Sequence, residues 1–76
     1  MDFSCEFKKL RKKCLLSQEE FAKELGVAFS TVNRWENGKE MPSYKSMRLI
    51  IAYCKNNNIR FDIQSEWLGE DKKWYD

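Results

Sequence analysis

The chain has 76 residues, 42% of them hydrophobic and 34% charged, with a formal net charge of +2. That length builds one domain with a thin core, burying roughly 60–65% of its unfolded surface; the composition is too apolar for disorder, and no apolar run approaches the ~18 residues of a membrane span. The absence of histidine removes imidazole acid–base catalysis, nucleophile–imidazole triads and the commonest metal ligand.

Cys5, Cys14 and Cys54 are odd in number and form no C-x-x-C pair, which argues against a disulfide framework and against a zinc site. The start, Met1 to Cys5, has neither the basic nor the apolar part of a secretion signal. A cytoplasmic protein with free thiols, no cofactor, no metal and no enzymatic activity is expected. Charge is uneven: residues 1–55 carry 11 Lys/Arg against 7 Asp/Glu, net +4, and residues 56–76 carry 3 against 5, net −2. The basic part suits a polyanion, which the acidic end would avoid.

Phe3, Phe7, Leu10 and Cys14 recur at helical period and predict a first helix over 3–14, with Asp2 as N-cap. Ser17 and Glu20 form a capping-box pattern that opens a second helix, and Gly26 closes it. Phe21, Ala22 and Leu25 face inward. After the short turn Gly26-Val27-Ala28, a third helix is expected over about 29–36, with Ala28, Val32 and Trp35 toward the core and Asn37-Gly38 as its stop. Pro42-Ser43 starts a fourth helix, about 43–55, with Tyr44, Met47, Ile50, Ile51 and Cys54 as its apolar stripe and Leu49 and Ala52 opposite. Beyond Asn56-Asn57-Asn58 two readings compete. Ile59, Phe61 and Ile63 alternate with polar residues as in a strand, whereas Asp62, Ile63, Trp67 and Gly69 suit a short capped helix. An extended piece followed by a helix to Leu68 is favoured, with residues 70–76 as a frayed tail.

Short helices joined through a tight glycine turn, the second with a polar outer face, form a helix-turn-helix pattern. At about 100° per residue, the face opposite the core presents Ser30, Asn33 and Arg34, with Phe29 at the flank. Arg can donate twice to guanine, Asn can grip adenine, and an apolar side chain can touch a thymine methyl. Without a partner the same face is simply solvated.

Leu10-Arg11, Leu16 to Ala22, Leu25-Gly26-Val27, Thr31 to Gly38 and Pro42-Ser43 together resemble the phage-repressor/Cro family of helix-turn-helix domains, over about residues 5–55. The resemblance implies an all-α, compact, four- to five-helix lambda-repressor-like domain, here over 1–69. It implies sequence-specific binding of double-stranded DNA by a repressor-like transcriptional regulator, acting as a homodimer. It assigns phosphate contacts to Gln18 and Asn37, with Lys39 and Ser43 as further candidates, and a partly buried ion pair to Arg11 and Glu36. Three positions depart from the pattern. Leu15 stands where glycine is usual, so the end of helix 1 is expected to be built differently. Ala28 replaces a Ser or Thr cap, at about 1 kcal/mol. Phe29 replaces a polar base reader and could touch a thymine methyl, pack on its own core, or wedge at a partner.

Leu49, Phe61, Ile63 and Trp67, with Ala52, Ile59 and Leu68 nearby, are candidates for a dimer surface. Alternatively, Phe61 and Trp67 complete the monomer core and the dimer forms only on DNA. An antitoxin-type module with a protein partner, or a helical protein-interaction module, are the competing functions. No membrane contact is expected.

Overall fold

The computed structural model describes residues 2–64 and 67, which contain four helices and no strand: α1 (Phe3–Lys13), α2 (Gln18–Leu25), α3 (Phe29–Glu36) and α4 (Tyr44–Asn56). None is long and apolar enough to cross a membrane. Helices of 8 to 13 residues are marginal alone, so their stability comes from the faces they bury together. α3 packs against both α1 and α2, and α4 against α2.

Aromatic rings make the centre of the core. Phe7 lies 5.1 Å from Phe21 and 5.4 Å edge-on to Trp35, while Phe3 stacks on Phe7 at 5.3 Å. Such pairs add about 0.5–1.5 kcal/mol each beyond the area they bury. Leu10, Ala22, Leu25, Val32, Met47, Ile50 and Cys54 fill the space around them. Three expected core positions are not in it. Ala28 is exposed because it sits outside the first turn of α3, where its side chain makes no cap bond. Tyr44 and Ile51 stay 38% and 36% exposed because the face of α4 that meets the core is carried by the buried Met47, Ile50 and Cys54, with Tyr53 edge-on to Phe21 at 5.5 Å.

Every helix ends the same way. A residue in the left-handed region follows each one: Leu15 (φ 60°), Gly26 (φ 77°), Gly38 (φ 73°) and Asn58 (φ 55°). The next residue then donates back to a carbonyl five positions earlier: Leu16 to Arg11, Val27 to Ala22, Lys39 to Arg34 and Ile59 to Cys54. This is the Schellman closure, and it turns the chain sharply after each helix. The end of α1 is therefore not built differently. Leu15 takes the glycine conformation, against the clash of its Cβ with the backbone, with its side chain 89% exposed.

Past Asn58 the strand-like alternation makes no strand. Residues 59–64 are neither helix nor strand, because among the described residues no second strand lies beside them to take their hydrogen bonds. Ile59, Phe61 and Ile63 lean on the core instead. Trp67 is 7% exposed, 5.2 Å edge-on to Phe3 and 5.9 Å from Phe61, and its backbone N–H donates to the Gln64 carbonyl at 2.9 Å. Trp67 is thus core rather than dimer surface. The helix expected to reach Leu68 and the tail 70–76 extend beyond the described residues.

Leu15→Gly should raise stability by about 1 kcal/mol, since it relieves left-handed strain and removes no packed atom; an unchanged denaturation midpoint would refute it. Burial, and then nearby Cys14, pushes the Cys54 thiol up from 9.0 to about 11. An acid whose folded pKa is raised stabilises fully below its unfolded pKa and loses that contribution as pH rises through the folded one. Stability should therefore fall between pH 9 and 11, by up to about 1.4 kcal/mol per pH unit from this group. Cys54→Ala should flatten that slope in urea titrations.

Candidate nucleic-acid interface

Glu36, the last residue of α3, is 4% exposed and carries a carboxylate into the joint between α1, α2 and α3. Arg11 of α1 meets it twice: Nε donates to Oε2 at 2.7 Å and Nη2 to Oε1 at 3.0 Å. The remaining Arg11 terminal nitrogen donates to the Leu16 carbonyl at 2.9 Å, in the α1–α2 turn. The bond to Glu36 raises the Arg11 pKa above its already high ordinary value, so the guanidinium is charged at every working pH. Glu36 Oε1 also accepts from Gln18 Nε2 at 3.0 Å, so the first residue of α2 joins the same carboxylate.

The network continues outward. Gln18 Oε1 accepts from Asn33 Nδ2 at 3.0 Å, and Asn33 Oδ1 accepts from Asn37 Nδ2 at 3.0 Å. Five side chains thus run from the buried ion pair to the end of α3. Gln18 and Asn33 are half-buried and Asn37 is exposed. Each amide retains one unused N–H in these bonds, which leaves it able to donate to an incoming group. The helix 2 N-terminus is closed by the capping box: Ser17 Oγ accepts from the Glu20 N–H at 3.0 Å and the Ser17 N–H donates to Glu20 Oε1 at 2.8 Å. Those bonds hold the Glu20 carboxyl below its ordinary range.

Phe29, Ser30 and Arg34 lie on the outer side of α3, all exposed. Phe29 is 51% exposed and outside the core, which removes the reading in which it packs on its own domain. Arg34 is not free-standing: its Nε donates to Glu40 Oε1 at 2.7 Å. Lys39 is exposed in the loop. Ser43 caps α4, its Oγ accepting from the Ser46 N–H at 3.2 Å, so its hydroxyl already has work within the fold. Of the expected dimer residues, Leu49 is 38% exposed, whereas Phe61 and Ile63 are half-buried against the core. Among the described residues no group of His, Cys, Asp or Glu could hold a metal ion.

Two features escape the sequence reading. The Gln18–Asn33 bond joins residues 15 apart on different helices, and only the crossing of α2 and α3 brings them together. Glu40 was legible as loop alone, although the Asn37-Gly38 stop is a hint that the chain doubles back toward α3.

The buried pair generates a stability prediction. Arg11→Ala strands a carboxylate whose side chain is 1% exposed and should cost about 3–5 kcal/mol, a large part of the roughly 4–11 kcal/mol expected for a chain of this size. Glu36→Ala strands the less buried Arg11 and should cost less. The double mutant should lose less than the sum, and additive losses in a denaturation cycle would mean the two do not interact.

The helix-turn-helix family matches residues 7–56 of this chain. A relative, the HTH-type transcriptional activator BcrR of Enterococcus faecalis, is 34% identical over 53 residues, 70% of this chain. The chain aligns with only 26% of that protein's length. No solved structure matches it. The matched residues run from within α1 to the end of α4, and on that match the chain belongs to the Cro/C1-type helix-turn-helix family.

Proposed function

We propose that this protein is a transcriptional regulator that binds double-stranded DNA sequence-specifically, with α3 in the major groove. The observation that carries this reading is the side-chain network from Arg11 to Asn37. A merely solvated face does not need its amides held in place. Here they are tied to a buried carboxylate, while Phe29, Ser30 and Arg34 project beyond them. Asn33 and Arg34 then read base edges, Ser30 adds a hydroxyl, and Phe29 covers a thymine methyl. Gln18, Asn37, Lys39 and Ser43 meet phosphates on either side, which fixes the register of α3 without carrying sequence. Gln18 has a second duty, since it also holds the Asn33 amide.

The resemblance to phage repressors favours repression, whereas the Enterococcus faecalis relative carries the name of an activator. The sign of regulation depends on where a site lies relative to a promoter, not on the face of α3. One α3 spans too few base pairs for useful specificity, so two copies on half-sites about 34–36 Å apart complete the reading. With Trp67 and Phe61 turned into the core, pairing is assigned to the DNA-bound state, with Leu49 and Ile51 of α4 as the exposed apolar residues available to it.

Selection from a random duplex pool, followed by footprinting, tests this. The expected footprint has two-fold symmetry. Arg34→Ala should relax one base pair per half-site and cost about 1–3 kcal/mol of specific binding. Gln18→Ala should weaken selected and random duplexes alike through the lost phosphate contact, and also blur the pair read by Asn33. A protein that enriches no sequence and leaves a footprint without symmetry would sink the proposal.

A further inference from the structure

We propose that Glu40 is a specificity-determining residue: it grips Arg34 by Nε and so presents the two terminal guanidinium nitrogens to a guanine edge. This rests on the reading of α3 as the recognition helix and deepens it. Arg34 lies in the last turn of α3. Gly38, at φ 73°, reverses the chain, and the Lys39 N–H donates to Arg34's own carbonyl at 3.0 Å. That reversal brings the Glu40 carboxylate to 2.7 Å from Arg34 Nε.

The pair does little for the fold. Both side chains are 47% exposed, and ion pairs in such places contribute little to stability. Its geometry is suited to recognition instead. Bidentate donation to guanine O6 and N7 uses two parallel N–H groups of one guanidinium. With Nε committed to Glu40, the two terminal nitrogens remain, and neither has a hydrogen-bond partner among the described residues. A long side chain held beforehand loses less freedom on binding. The carboxylate also acts on wrong sequences. Beside the phosphates of any duplex it is repulsive, and only a base that takes up the oriented guanidinium offsets it. Discrimination then comes from both a favourable and an unfavourable element.

The test compares wild type, Glu40→Ala, Glu40→Gln, Arg34→Ala and the Arg34→Ala/Glu40→Ala double variant. Each is titrated with the best selected duplex, that duplex changed at the pair read by Arg34, and a random duplex, across a salt series. Circular dichroism confirms that the exposed substitutions leave the fold intact. Glu40→Ala should lose about tenfold of the preference at that pair, the range of one base contact. Glu40→Gln should keep most of it, because the amide oxygen still accepts from Nε. Both should bind the random duplex more tightly and with a steeper salt dependence, since each removes a negative charge. In the Arg34→Ala background, losing Glu40 should change random binding but not preference. An unchanged preference in Glu40→Ala, an equal loss in Glu40→Gln, or the same loss without Arg34 would each overturn the role of Glu40. If Arg34→Ala itself leaves the selected sequence unchanged, the base-reading role of Arg34 falls and Glu40's with it. If Arg34→Ala loses the preference while Glu40→Ala keeps it, only the role of Glu40 falls.

Discussion

A buried carboxylate at the end of α3 constrains nearly everything else in this domain. Glu36 cannot remain charged in the core without partners, because an unpaired buried charge costs several kcal/mol. Arg11 supplies two of its bonds and Gln18 a third. These partners come from two helices and Glu36 from a third, so satisfying one residue fixes how α1, α2 and α3 meet. An apolar residue there would bury as well, but it would tolerate small rotations of α3. Directional bonds to a carboxylate tolerate them poorly.

The same bonds connect stability to the outer face. Gln18 uses one end of its amide on Glu36 and the other on Asn33, and Asn33 passes the order to Asn37. The polar face of α3 is therefore continuous with the interior rather than laid over it. Arg34 lies outside this network and is held from the loop by Glu40. Two independent supports, one from the core and one from the loop, thus bracket the exposed face of α3.

The helix ends explain why so short a chain can do this. Each helix is followed within two residues by a left-handed residue and a return bond, so each helix is closed by few residues. Glycine serves this turn at Gly26 and Gly38, and Asn58, whose residue type tolerates the region, serves it after α4. Leu15 holds the same geometry against its own preference, because Leu16 must lie where its carbonyl meets Arg11.

Much of this was legible in the sequence. The apolar stripes, the Ser17–Glu20 capping box and the stops at Gly26 and Gly38 placed the helices to within a residue or two, because these signals are local and act through backbone hydrogen bonds a few residues apart. The polar face of α3 was legible for the same reason, by angle around one helix. What the tertiary structure alone decided involves residues far apart in the chain. The alternation of Ile59, Phe61 and Ile63 suggested a strand, but a strand exists only where another lies beside it, and here those side chains pack on helices instead. Whether Trp67 was surface or core depended on the space left beside Phe3. The grip of Gln18 on Asn33 and of Glu40 on Arg34 depended on how α2 crosses α3 and how the chain reverses after Gly38. Periodicity shows which side of a helix is apolar, but only the packed chain determines which polar atoms meet.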